Sequence, residues 1–540
     1  MTRSSFRPVA AVGLVAATLV YVGCTKTDPT VAPPSSSTGS SQASTAGKSP
    51  EPAKEAVDTK PAASKDPFAF WAAQPPSAVL VVSGEQHGYL QPCGCTEGQL
   101  GGLGRRADMI DQIRKRGWPV AAVDLGDLLA KPAETPGGLE QEKVKFIIGL
   151  KALAMMKYDA IALGAEDMKL GVGELLGQLL NIKEPRFLAA NVKPAAGFEE
   201  TMRATALVKA GTTTLGVTAV LDPADFEALA DPDKKDLLTI TPPDEALPGA
   251  IETLQKGGAG LLVLLVQGKI EEARRLAEKF PQFDLVVARS VFADPDARPE
   301  LLNDGKTTLI NVGLKGKYAG VVGIFPGSGK PRLDYRLVGL EQKYFRETDE
   351  ARTLVDVDYQ NILRDLAVVA TIRRRPNMTA PTGATYIGAQ ACQECHPKTF
   401  EKWRGTKHAN AYAALENPKR NREADAECVS CHTTGFSYAS GWVSASKTPY
   451  LKGNQCENCH GPASLHASDP DNPAFRKPMA LSAETAEKTN FCLRCHDEDN
   501  DHNFTFAGRY SQIYHKGFDT YDDPKVHQPR APKVTLDDRR

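Results

Sequence analysis

Between residues 77 and 345 the apolar positions follow two periods in turn. The short apolar runs "SAVLVVSG", "PVAAVDLGD", "AIALGAED", "RFLAANV", "GLLVLLVQG" and "FDLVVARS" have the length and composition of strands buried on both faces. "GGLGRRADMIDQIRKRG" and "EQEKVKFIIGLKALAMMKYD" instead space their apolar residues three and four apart, which predicts amphipathic helices. Alternation of this kind predicts a layered α/β sandwich, with "KTTLINVGLKGKYAGVVGIFPG" adding strands and turns at its end. "TDEARTLVDVDYQNILRDLAVVATIRRR" returns to helical spacing and predicts one connecting helix over 346–376, which the prolines of "PNMTAPTG" end. From 384 to 540 long apolar runs are absent, so only a small, mostly α domain is expected, and its core must come from something other than side chains.

The N-terminal pattern concerns location. Arg3 and Arg7 precede "PVAAVGLVAATLVYVG", an apolar run too short to remain as a spanning anchor, so residues 1–24 read as an export signal. The run ends in "YVGC", which resembles a bacterial lipobox with Tyr21 in place of the usual Leu, and the resemblance implies lipidation of Cys24. Residues 25–76 are rich in Ser, Thr, Pro and Ala without apolar periodicity, which predicts a disordered tether. Lipid and tether together would hold a soluble body at the periplasmic side of a bacterial membrane. A chain of 540 residues has room for two or more domains. Its 65 basic and 66 acidic residues balance to a net charge of -1, which argues against nucleic acid as a partner.

Cysteine usage changes the picture most. Of 11 cysteines, eight form four C-x-x-C units in the last 150 residues: Cys392/Cys395, Cys428/Cys431, Cys456/Cys459 and Cys492/Cys495. Zinc pairs or disulfides would not require a histidine directly after every unit, yet His396, His432, His460 and His496 stand there. In C-x-x-C-H each thiol can form a thioether to a haem vinyl group, and the next residue offers its imidazole to the iron. The pattern predicts four covalently bound haem c groups, attached outside the cytoplasm, as export would require. Stacked porphyrins would then be the missing core and an electron wire. The opposite iron faces need ligands, and His408, His466, His502, His515 and His527 are at hand; only His87 precedes residue 396. Met479 reads as packing.

The ordered motifs in "YIGAQACQECHPKTFEKWRGTKHANAYAAL", "CVSCHTTGF", "CENCHGPASLH" and "CLRCHDEDNDHNFTFAGRYSQIYH" resemble the tetrahaem cytochrome c-554 family over residues 384–516. That family carries electrons. The resemblance implies His408, His466 and His515 as distal ligands and one haem lacking a distal ligand, for which His432 is the candidate. Which haem each distal histidine serves is not readable from spacing.

In the body, "GEQHG", "GGLGR", "LGD", "LGAED", "LLVQG" and "VARSVF" occur in the order of motifs that makes residues 77–345 similar to calcineurin-like metallophosphoesterases of the bacterial 5'-nucleotidase branch. A pair of catalytic metals about 3.5–4 Å apart needs a full set of histidine and carboxylate ligands. Here Ala165 and Glu166 replace the family's Asn and His, Gln267 replaces a histidine, and the last histidine pair falls at Ser290 and Phe292. His87 and Asp127, with Glu85, remain as candidate ligands of a residual metal ion. Cys93 and Cys95 of "QPCGC" could add thiolates to such a site or form a local disulfide. The expectation is an exported, membrane-tethered tetrahaem cytochrome that passes electrons between redox partner proteins of the cell envelope, on a catalytically degenerate body. Two alternatives stay open: a multihaem oxidoreductase acting on a small nitrogen compound or peroxide at an open haem, and a phosphoesterase with a cytochrome appendage.

Overall fold

Every residue of the strand Ala78–Ser83 is buried, and its two faces serve different cores. Val79 and Val81 pack with Met109, Ile110, Ile113, Val144 and Phe146 of the helices Leu103–Lys115 and Gly138–Met155. Ala78, Leu80 and Val82 pack instead against Val217, Val263, Leu265 and Val287 of a second sheet. Burial of each such Val or Leu stabilises by about 1.5–3 kcal/mol, which is why the run reads as continuously apolar. In the computed structural model, which describes residues 66–92, 98–130, 135–378, 381–417 and 421–519, this strand lies inside a six-stranded sheet. The order is Arg332–Gly339, Tyr318–Phe325, Ala78–Ser83, Val120–Asp124, Ala160–Ala162, Arg186–Leu188, antiparallel up to Ala78–Ser83 and parallel from there.

The second sheet runs Glu300–Leu302, Thr307–Asn311, Leu285–Ala288, Leu261–Gln267, Thr213–Leu221, Thr205–Ala210, with antiparallel edges and four parallel inner strands. Its outer face is covered by Leu247, Ile251 and Leu254 of Pro243–Lys256 and by Ala273, Leu276 and Ala277 of Ile270–Lys279. The body is therefore a helix–sheet–sheet–helix sandwich, the layered α/β class that the two periods predict.

Two boundaries differ from the sequence reading. The stretch read as tether over 25–76 is anchored to the body near its end: Phe68 and Trp71 are buried, and Trp71 Nε1 donates to Asp334 Oδ2 at 2.6 Å. The connecting segment is also not one helix. Helix Asp349–Arg352 passes through a π-helical stretch, Thr353–Asp358, into Tyr359–Asp365, and Ala367 at φ 50° breaks it before Val368–Thr371. Leu354, Val355, Tyr359, Leu363 and Val368 join the core of the body, so local helical spacing yields to a tertiary surface.

The C-terminal segment is built of short helices, among them Ala389–Cys392, Pro397–Arg404, Ala426–His432, Cys456–His460 and Ala483–Lys488. Its side-chain core is small, gathered round Tyr386, Tyr412, Val429, Phe436, Trp442 and Leu451. All described residues fall within one compact unit, Ala63–Arg540. Body and segment meet through buried polar groups. Asp425, the N-cap of Ala426–His432, accepts from Gln141 Nε2 at 2.8 Å and Gln360 Nε2 at 3.1 Å, while Arg422 pairs with Asp356 at 3.0 Å. Lys145 pairs with Glu427 and, at 3.3 Å, with Glu142. Burial alone would depress the Lys145 ammonium, but Glu427 and Glu142 outweigh it and hold it above its ordinary value.

Candidate haem cluster and the remnant site of the body

Each C-x-x-C-H unit sits on a turn of helix or just after one. Two units are wholly helical, within Ala426–His432 and Cys456–His460. In the others the histidine N–H closes a turn on the first cysteine's carbonyl, His396 on Cys392 at 2.8 Å and His496 on Cys492 at 2.9 Å. Helical spacing puts positions i, i+3 and i+4 on one face, so both thiols and the imidazole can address one porphyrin. The units are neighbours through their cysteines, but out of chain order. Cys392 lies beside Cys456, Cys459 beside Cys492, and Cys495 beside Cys431. The first unit thus meets the third, the third the fourth, and the fourth the second.

The eight unit cysteines read alike in the sequence, but the structure sets one apart. Cys395 is exposed, whereas Cys392, Cys428, Cys431, Cys456, Cys459, Cys492 and Cys495 are half-buried. The cause is local: helix Ala389–Cys392 ends before Cys395, and the connection to helix Pro397–Arg404 runs over the surface, with Glu394, His396, Pro397 and Lys398 exposed as well. The first unit therefore forms the rim of the cluster.

Three of the four unit histidines face a histidine from elsewhere. Ring centres are 6.4 Å apart for His396 and His466, 5.9 Å for His496 and His408, and 5.8 Å for His460 and His515. With metal–nitrogen bonds near 2 Å, two imidazoles on opposite sides of one metal put their ring centres about 6 Å apart. His432 has no such ring partner among the described residues. Four rings also have Nδ1 engaged: His432 with Ala411 O at 2.6 Å, His460 with Met479 O at 2.7 Å, His515 with Ile513 O at 2.8 Å, and His496 with Asp501 Oδ2 at 2.9 Å. A ring that donates from Nδ1 presents Nε2 to a metal. Burial keeps His408, His460 and His466 below the usual histidine range, which favours the neutral, ligating form. These residues fit haem c. His502 lies against the body, where a Cβ on Gly98 would come within 3.0 Å of its Nε2. His527, Cys24, Cys93 and Cys95 lie outside the described residues.

The body brings its remnant motifs together as well. His87 Nε2 is 3.2 Å from Glu85 Oε2, and Asp127 Oδ1 accepts from Glu166 N at 2.7 Å. Glu85, His87 and Asp127 have φ of 52°, 45° and 56°, a cluster of left-handed non-glycine residues in one place. The cation among them is an arginine. Arg289 Nε lies 3.9 Å from both Glu85 Oε1 and Asp127 Oδ2, and the guanidinium bonds Asp225 Oδ2 at 2.7 Å. Gln267 is turned away to donate to Leu125 O. Among the described residues no three His, Cys, Asp or Glu side chains converge as a metal site. The residual ion expected at His87 and Asp127 does not fit this donor set, because Arg289 already faces the two carboxylates. Burial, then Glu85 and Asp167, push the Asp127 carboxyl well above its ordinary value, and burial raises Asp167 to about 7.

Comparison with known proteins bears on both halves. The sequence profile of the family described as "Cytochrome c554 and c-prime" matches residues 391–461. Over these residues the chain is similar to that family. Cytochrome c-554 of Nitrosomonas europaea is 29% identical over 136 residues, which are 21% of this chain and 58% of that protein. Multiheme cytochrome MtrC of Shewanella baltica is 24% identical over 275 residues, 47% of this chain and 40% of that protein. The chain thus spans about half the length of these curated relatives. The fold is similar to that of a 5'-nucleotidase precursor from Thermus thermophilus, at TM-score 0.46 and 18% identity, covering 61% of this chain and 67% of that one.

The match takes in the first three C-x-x-C-H units, and the fourth, Cys492 to His496, lies beyond it. Several residues that support these histidines escaped the sequence reading. Ala411, Met479 and Ile513 act through backbone carbonyls, which carry no side-chain signal. Asp501 had a signal, an acidic residue five positions after the unit histidine. In the body Arg289 had one too, a cation directly after the buried strand Leu285–Ala288.

Proposed function

We propose that this chain is an exported tetrahaem c-type cytochrome that passes electrons between redox partner proteins of the cell envelope. The observation that carries the reading is the set of three imidazole pairs, each joining a unit histidine to a distant one at the separation one shared metal requires. Cys392/Cys395, Cys428/Cys431, Cys456/Cys459 and Cys492/Cys495 are the attachment pairs, and His396, His432, His460 and His496 the proximal ligands. His466, His408 and His515 are the distal ligands of the first, fourth and third haems, and the second, at His432, is open. Bound haem supplies one-electron chemistry at iron. Paired imidazoles change little in geometry with the charge on the metal, which suits transfer rather than turnover. The neighbouring cysteines support the order first–third–fourth–second, with the open centre at one end and the exposed unit of Cys395 at the other.

The body serves as a platform without phosphoesterase activity, Arg289 supplying the charge that metal ions would bring to Glu85 and Asp127. Lipidation at Cys24 would anchor the chain to a membrane; among the described residues no helix is long and apolar enough to cross one. The open position at His432 favours a second reading, reduction or oxidation of a small nitrogen compound or peroxide there. Electron paramagnetic resonance of the oxidised, full-length holoprotein tests both. The carrier reading expects four haem masses per chain, three low-spin irons and one high-spin iron, with no turnover of hydroxylamine, nitrite or peroxide. Turnover lost in His432→Ala would favour the oxidoreductase, and a colourless mature chain would remove both readings.

A further inference from the structure

The unit histidines do not share one kind of support. His432 and His460 donate from Nδ1 to the neutral backbone carbonyls of Ala411 and Met479. His496 donates instead to a carboxylate, Asp501 Oδ2, at 2.9 Å. The Asp501 side chain is 10% exposed, and its second oxygen is buried without a hydrogen-bond partner. The ring is also stacked on Phe504, centroids 4.8 Å apart and planes 21° from parallel. A carboxylate acceptor makes a ligating imidazole more basic than a carbonyl does, and so stabilises the more oxidised metal.

Asp501 owes its place to the loop 497–501, which the body grips from outside. Within the loop, Asp501 N bonds Asp497 O at 2.7 Å, and the Asp497 carboxylate accepts from Asp499 N at 3.1 Å and Asn500 N at 2.8 Å. From the body, Lys317 Nζ pairs with Asp499 Oδ1 at 2.9 Å and Lys315 pairs with Oδ2 of the same carboxylate. Gln99 Nε2 reaches the carbonyls of Asp499 at 2.5 Å and Asn500 at 3.2 Å. These groups are themselves rooted: Gln99 and Lys317 are buried, and Lys315 N donates to Glu85 O at 2.6 Å, on the loop of the remnant site. Two lysines and one amide thus converge on two consecutive residues of a loop whose next residue is Asp501.

We infer that the α/β body sets the redox potential of the haem attached at Cys492 and Cys495, by clamping the loop 497–501 so that Asp501 accepts the proton of His496. Asp501 is the tuning residue, and Lys315, Lys317 and Gln99 are positioning residues that act through it. The inference rests on the proposed assignment of His496 and His408 to one iron. It gives the body a task in electron transfer that requires no chemistry at its own remnant site.

The test is a redox titration of the full-length holoprotein, followed optically and by electron paramagnetic resonance, on wild type, Asp501→Asn, Asp501→Glu and the double variant Lys315→Met/Lys317→Met. Asp501→Asn should move one midpoint upward and leave the other three in place; Asp501→Glu should return it towards wild type. The moved centre should be the one whose low-spin signal His408→Ala abolishes. The lysine pair, remote from the attachment site, should move the same midpoint in the same direction by a smaller step. Should Asp501→Asn fail to mature, the lysine pair alone decides. Four haems with every midpoint unchanged would overturn the inference and spare the assignment beneath it. Fewer than four haem masses, or an unchanged low-spin count in His408→Ala, would overturn both.

Discussion

Replacing Arg289 by Met removes the cation that faces Glu85 and Asp127 while keeping most of the side-chain volume. At 3.9 Å each attraction is on the order of 4 kcal/mol for an effective dielectric constant near 20. Desolvation offsets part of this, and breaking such a pair from one side costs about 3–5 kcal/mol when both partners are fully buried. The two carboxylates are 3% and 0% exposed but the guanidinium is 26% exposed, so water screens it and the expected cost falls to about 2–3 kcal/mol at pH 7. The pH dependence has a definite sign. Asp127 is already raised by burial, by Glu85 and by Asp167, with Arg289 working against them, so the variant raises it further. A raised carboxyl favours the folded state at low pH, and once Asp127 is protonated in both proteins its ion pair no longer counts. The deficit should therefore be smaller in an acidic than in a neutral buffer. Denaturant unfolding of the holoprotein by circular dichroism at both pH values, with Arg289→Lys as the conservative control, measures it. Equal midpoints for wild type and Arg289→Met, or a deficit that does not change with pH, would refute the account of Arg289 as an internal counter-charge.

Other expectations follow from the same geometry. His466→Ala, His408→Ala and His515→Ala should each convert one low-spin iron to high-spin, and a different one each time, read by electron paramagnetic resonance. Lys145→Met strands the buried Glu142 and the partly exposed Glu427 at the junction of body and haem segment; about 2–3 kcal/mol should be lost in urea unfolding. Asp167, raised by burial to about 7, should make the body less stable as pH rises from about 4 through 7, and Asp167→Asn should flatten that slope in thermal melts.

The sequence by itself determined what depends on neighbours along the chain. A C-x-x-C-H unit holds its thiols and imidazole within one helical turn, and a buried strand such as Leu261–Gln267 is apolar at every position up to Val266 wherever it ends up in the sheet. The attachment units and the alternating layers were legible for that reason. Tertiary structure alone decided which histidines meet, because His466 pairs with His396 rather than with the nearer His460. It decided that Cys395 lies at the surface while the other unit cysteines are half-buried, a difference the repeated motif does not carry. It decided that Phe68 and Trp71, which follow a long Ser-, Thr- and Pro-rich stretch, belong to the core, since burial depends on a surface made hundreds of residues later. It also decided the surroundings of Glu85 and Asp127. The approach of Arg289 to these carboxylates, and the grip of Lys315 and Lys317 on Asp499, are contacts across the fold, where a charge is felt through space and leaves no period in the chain.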